Sequence, residues 1–195
     1  MKELIFKIGD NVVYHGNLVS TQCTAHSKTG SRCKRRCVIG IPFCYTHLLY
    51  NNHLRIKKST IPEAGLGLFA MDPLDSSNHV IFKAGETITK YYGETINLAE
   101  LNNRYHHKTA PYAIEIIRHK LYEDGALSRG VGATANRKTG SANATLSINT
   151  RGKYASLKAT KNIYNNQEIF LSYGTAFKMN ENNVSHSTNN IRNKK

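Results

Sequence analysis

All four cysteines of this 195-residue sequence lie between positions 23 and 44, and a histidine follows the last of them by three residues. Cys23, Cys33, Cys44 and His47 read as C-x9-C-x10-C-x2-H. Three soft thiolates and one imidazole are a donor set that suits tetrahedral Zn2+. Cys37 is a fifth candidate donor and His26 a sixth. A disulfide framework would spread its cysteines through the fold, whereas one local cluster points to a metal. The segment is also too short and polar to build a core, so it needs the metal to fold. Reduced, half-buried cysteines that bind nothing are the alternative. Around the candidate ligands stand Lys28, Arg32, Lys34, Arg35 and Arg36, with Phe43 and Tyr45 nearby. Such a patch can hold phosphates through ion release, or it can be the solvated face of a small structural module.

The elements that must carry this chemistry are mostly strands. Leu4 to Ile8 and Val12 to Tyr14 flank the turn residues Gly9-Asp10-Asn11, which is the pattern of a hairpin within residues 1–19. Residues 20–50 form the zinc module. From Leu54, short runs rich in Ile, Phe, Tyr, Val and Thr are separated by Gly, Pro, Asp and Asn, and this predicts a strand-rich domain over 54–175. Asn97 to Tyr105 places apolar side chains near helical spacing behind an Asn97 cap and predicts a short helix. Residues 178–195 are polar and Asn-rich and are expected to be disordered.

The balance of 27 Lys and Arg against 13 Asp and Glu gives a formal charge of +14, which suits an anionic partner such as nucleic acid, a nucleosome or an acidic protein. No apolar run approaches the roughly 20 residues that span a bilayer, and the first residues do not lead into a signal-peptide core. The expectation is a soluble, intracellular chain of nucleus or cytoplasm (a host's, if the source is viral) with no membrane partner.

Several separated segments fit one further pattern. Ile56-Lys57-Lys58-Ser59 leads to Gly65-Leu66-Gly67-Leu68-Phe69-Ala70, Tyr91-Tyr92-Gly93-Glu94 follows, and Glu168-Ile169-Phe170-Leu171-Ser172-Tyr173-Gly174 closes it. Between them stands Gly132-Ala133-Thr134-Ala135-Asn136-Arg137, with Asn143 soon after. In this order they resemble the SET-domain protein lysine methyltransferases over roughly residues 54 to 175. The cysteine segment, with Gly30-Ser31-Arg32-Cys33-Lys34 inside it and Phe43-Cys44-Tyr45-Thr46-His47 after it, looks like small zinc-knuckle modules, a likeness that makes Cys37 the spare thiol. The resemblance implies a mainly β fold of several small sheets with a C-terminal pseudoknot, formed as the Asn136 segment threads beneath the strand and loop containing Tyr173.

It also implies an S-adenosylmethionine-dependent protein-lysine methyltransferase with a lysine-bearing substrate such as a histone. Gly65, Leu66, Gly67, Asn136, Arg137 and Phe177 would bind the cofactor. Tyr173, with Tyr91 second, would border the methyl-transfer pore. The pattern departs from the family at Ala133, where an arginine is usual, and at Arg137 and Leu146. A SET-like binding module that docks on nucleic acid or chromatin through its basic zinc segment therefore stays open as the alternative.

Overall fold

The computed structural model describes residues 2–8, 11–18, 20–37, 41–106, 110, 112–126, 130–138 and 140–172, with side chains from residue 20 onward. Two strands, β1 (Lys2–Ile8) and β2 (Asn11–Leu18), pair antiparallel as the opening hairpin. The described residues 20–37 carry two isolated bridges, Gln22 with Arg36 and His26 with Arg32, closed by a turn in which the Ser27 N–H donates to the Ser31 carbonyl at 2.8 Å. It runs into helix α1 (Tyr45–Asn52), which sequence periodicity does not announce. Thr46, His47, Asn51 and Asn52 are weak helix formers. Packing compensates: Leu48 and Leu49 are buried, and His53, at φ 52, closes the helix by donating to the Leu49 carbonyl.

The strand-rich domain begins with β3 (Leu54–Lys58) and β4 (Leu66–Ala70), an antiparallel pair that sets Ile56 opposite Leu68 with both side chains buried. Next come β5 (Val80–Phe82), β6 (Thr87–Tyr91) and β7 (Glu94–Ile96). Helix α2 (Leu98–Tyr105) follows where the sequence predicts it, and the Asn97 side chain accepts from the Glu100 N–H at 2.9 Å. Strands β8 (Ala113–Ile117) and β9 (Leu121–Asp124) complete a sheet in the order β7-β9-β8. Asp124, buried in β9, holds α2 to that sheet by accepting from the Tyr105 hydroxyl at 2.8 Å and from Arg104 at 3.1 Å.

After a 3-10 turn (Val131–Thr134) come β10 (Asn136–Arg137), β11 (Ala144–Asn149), β12 (Tyr154–Ala159), β13 (Ile163–Tyr164) and β14 (Phe170–Ser172). β13 pairs with β5. The largest sheet runs β10-β14-β11-β12-β6. β14 lies parallel to both β10 and β11, so Leu171 stands between Arg137 and Ala144. Because β10 and β11 are consecutive in the chain, their connection must cross β14. Lys138 marks that crossing, with its ammonium 4.9 Å from the centre of the Phe170 ring.

Asn143 locks it. Its N–H donates to the Phe170 carbonyl at 3.1 Å, its Oδ1 accepts from the Phe170 N–H at 2.8 Å, and its Nδ2 donates to the Glu168 carbonyl at 2.9 Å. The side-chain amide thus acts as one more rung of the sheet, in a place where unpaired backbone groups would be costly. Beneath it Leu54, Leu68, Leu157, Ile163, Ile169 and Leu171 form the fully buried core, and Leu48 of α1 joins the same cluster. Each such side chain stabilises the fold by roughly 1.5–3 kcal/mol. The helix that carries His47 is therefore anchored in the main domain.

Candidate functional site

Cys23 and Cys33 face each other across the bridged loop, while Cys44 caps α1 and His47 sits in its first turn. Their four donor atoms lie within 4.8 Å of one another. His47 Nδ1 is 3.5 Å from the Cys23 sulfur and 3.3 Å from the Cys44 sulfur. Zinc bonds of about 2.3 Å to sulfur and 2.0–2.1 Å to nitrogen, at the tetrahedral angle, set sulfur-to-nitrogen edges near 3.5 Å, so the donors fit the ion. Burial alone would raise the Cys44 thiol, but hydrogen bonding with the His47 backbone and side chain, Cys23 and Cys33 outweighs it and brings the pKa down to about 7.

Cys37 stands outside the group: burial pushes its thiol up, and its contact is the Thr21 hydroxyl at 3.8 Å. His26 is exposed. The structure thus brings together Cys23, Cys33, Cys44 and His47 of the six candidate donors, the set that the zinc-knuckle resemblance favours.

The second constellation lies where β10 meets the β3–β4 hairpin. Asn136 Nδ2 donates to the Leu66 carbonyl at 3.0 Å, the Ser59 hydroxyl at 3.1 Å and a Glu168 carboxylate oxygen at 3.2 Å. Glu168 is buried, at 4% exposure. It also accepts from the Ser59 hydroxyl at 2.7 Å, and from the Thr60 N–H and hydroxyl at 2.7 and 2.6 Å. Burial would raise this carboxyl, yet these donors outweigh it and hold it below the ordinary glutamate range. With three acceptors on its nitrogen side, the Asn136 amide can stand only one way, and its Oδ1 is turned from the network.

Gly65 and Gly67 serve different needs. Gly65 takes φ +72 with open space around it, a turn conformation glycine adopts without strain. At Gly67, a Cβ would stand 2.1 Å from Glu168 Oε1 and 3.1 Å from Asn136 Nδ2. Leu66 between them is 58% exposed. The exposed backbone at Gly65 and Leu66, beside the Asn136 amide oxygen, suits a ligand that carries an ammonium group, and S-adenosylmethionine has one at its amino-acid end.

Tyr91 is buried in β6, and its hydroxyl donates to the Tyr112 carbonyl at 2.6 Å. Arg137 follows Asn136 in β10, paired with Leu171. Tyr173 and Phe177 lie outside the described residues, as does the 178–195 tail. Sequence reasoning quoted Ser59 and Glu168 only as parts of motifs and missed their partnership. Nothing in either local stretch signals a contact across 109 residues.

No known protein-family profile matches the sequence, and no curated protein does. Solved structures do. An autoinhibited Polycomb Repressive Complex 2 bound to S-adenosylmethionine aligns over 65% of this chain and 16% of its own, at 21% identity and TM-score 0.51. An active Polycomb Repressive Complex 2 in the stimulated state aligns over 67% and 16%, at 23% identity and TM-score 0.52. The chain spans about a sixth of the length of the chains it matches. Together with the small sheets and the strand β14 passed between β10 and β11, these likenesses identify the fold of this chain as the SET type.

Proposed function

We propose that this chain is an S-adenosylmethionine-dependent protein-lysine N-methyltransferase whose substrate is a lysine-bearing protein such as a histone. The observation that carries the reading is Asn136. The crossing of β10 and β14 places its amide against the Gly65–Gly67 turn, with the nitrogen side engaged by Glu168, Ser59 and Leu66. An amide carbonyl held in this way accepts from an ammonium without having to reorganise. The neighbouring structure bound to S-adenosylmethionine shares this fold.

When bound, S-adenosylmethionine supplies an electrophilic methyl group on a sulfonium. The residues of this chain have two tasks, to hold that ligand and to admit a neutral amine. Asn136 Oδ1 and the exposed backbone at Gly65 and Leu66 do the first, with Arg137 and Phe177 as further candidates. A free lysine has a pKa near 10.4, so the amine must enter through an apolar passage that disfavours its charged form. Tyr173, next in sequence after Ser172 of β14, is the proposed pore tyrosine. The hydroxyl of Tyr91 is committed to the Tyr112 carbonyl, which suits it to bracing the wall of the passage.

Calorimetric titration of the full chain with S-adenosylmethionine tests the cofactor half of this reading. Saturable binding at one site per chain supports it, and a folded protein that gives no binding heat across several temperatures overturns it.

A further inference from the structure

We propose that the zinc module is a docking surface for the phosphate backbone of nucleic acid, read without base specificity. Its first support is charge. Residues 11–62 contain eight Lys and Arg and no Asp or Glu. Five of the eight, Lys28, Arg32, Lys34, Arg35 and Arg36, fall within the bridged loop, and all five are exposed. Zinc held by three thiolates and a neutral imidazole carries one net negative charge, which these cations outnumber.

The second support is how the guanidiniums are held. Arg32 donates to the Cys23 carbonyl at 2.9 Å and the Gln22 carbonyl at 3.0 Å, Arg35 to the Thr46 hydroxyl, and Arg36 to the Ser20 carbonyl. Every one of these acceptors is neutral. The bonds fix the side chains without cancelling their charge, so less ordering entropy is lost on binding. A guanidinium also has five donors, and each of these keeps some for a phosphate.

The third support separates nucleic acid from an acidic protein partner. A protein interface is centred on buried apolar and aromatic side chains. Here every exposed residue of the bridged loop from 21 to 36 is a cation, a hydroxyl, an amide, a histidine or glycine, and the exposed rings of the module, Tyr45 and Tyr50, stand outside that loop on α1. The apolar side chains of the loop are turned inward, onto the cluster of Cys23, Ala25, Cys37 and Cys44. Cations with interspersed hydroxyls and no apolar centre are what a phosphate backbone requires.

The test is fluorescence anisotropy of the full zinc-loaded chain with a labelled DNA duplex and the matching single strand, in a salt series. Lys28→Glu combined with Lys34→Glu is the diagnostic variant, because neither lysine braces the loop, and zinc content and thermal midpoint report its fold. The wild type is expected to bind both probes, and duplex affinity falls as salt rises. The double variant should lose affinity by about tenfold or more at low salt and show a slope shallower by about 2, the share of two phosphate contacts. Equal affinity and slope in the folded variant would overturn the proposal. So would absence of duplex binding by the wild type, or displacement of the duplex by polyglutamate at matched charge, which would assign the surface to acidic protein. None of these outcomes depends on cofactor binding.

Discussion

The Asn136 amide nitrogen lies 3.2 Å from a carboxylate oxygen of Glu168, which places a buried negative charge behind the residue assigned to the cofactor. Asn136→Ala removes the outward oxygen together with a donor to Glu168. Loss of a hydrogen bond to a charged group costs about 1.5–3 kcal/mol. S-adenosylmethionine affinity is therefore expected to fall by about tenfold or more, measured by calorimetry on a folded variant. Unchanged affinity would move the cofactor site elsewhere.

Glu168→Gln keeps the shape but turns an NH2 group toward at least one of the donors from Ser59, Thr60 and Asn136. A buried group left unsatisfied in this way costs about 1–3 kcal/mol. The carboxyl is held below its ordinary range in the folded state. Its contribution is thus fully present above the unfolded value near 4.3 and is lost as pH falls through the folded pKa. Denaturant melts should show wild type more stable than the variant at neutral pH and the gap narrowing in acid. A gap that is constant with pH would contradict an ionised Glu168.

Gly67→Ala would place a Cβ 2.1 Å from Glu168 Oε1. Hydrogen bonds from Ser59 and Asn136 pin that oxygen, so relief means breaking the network. A loss on the order of 1–3 kcal/mol is expected from the thermal midpoint, with cofactor affinity reduced alongside it. A neutral substitution would show that the β4 backbone can shift freely there.

Much of this architecture is legible in the residues. The C-x9-C-x10-C-x2-H set, preferred over Cys37 and His26 through the zinc-knuckle resemblance, holds the four donors that converge within 4.8 Å, and the Asn97 cap marks the start of α2. The order of the glycine turn, Asn136 and the Glu168–Ser172 run anticipates the crossing of β10 and β14. What escaped was set by distant partners. Helix α1 forms because Leu48 reaches the main core and because Cys44 and His47 must face one centre, not because its residues favour helix. Glu168 stands beside an apolar run in the sequence, and only the folded chain brings Ser59 and Thr60 to it. The arginines of the loop left two readings open in the sequence, a phosphate-holding patch and a solvated face, and neither shows the hydrogen bonds to Cys23, Gln22, Thr46 and Ser20 that make them part of the module's frame.

Metal analysis of protein prepared without chelator is expected to find one zinc per chain. Cys33→Ser should lose it, while Cys37→Ser should keep it, because the Cys37 sulfur lies outside the donor group. Since Leu48 of α1 sits in the main core, metal loss should also lower the thermal midpoint of the whole chain. Zinc retained by Cys33→Ser and lost by Cys37→Ser would reassign the ligands.

Transfer of a labelled methyl group from S-adenosylmethionine to a histone mixture, read by mass spectrometry of the modified residues, is the most direct test of the proposed activity. The wild type should methylate lysine side chains, with a rate that rises toward alkaline pH because the neutral amine is the nucleophile. Tyr173→Phe should retain cofactor binding but lose rate or change product state, since misplacing a reacting group by about 1 Å can cost on the order of a hundredfold. No transfer to any lysine by wild-type protein with bound cofactor would contradict the assignment and leave a SET-type scaffold that binds without catalysing.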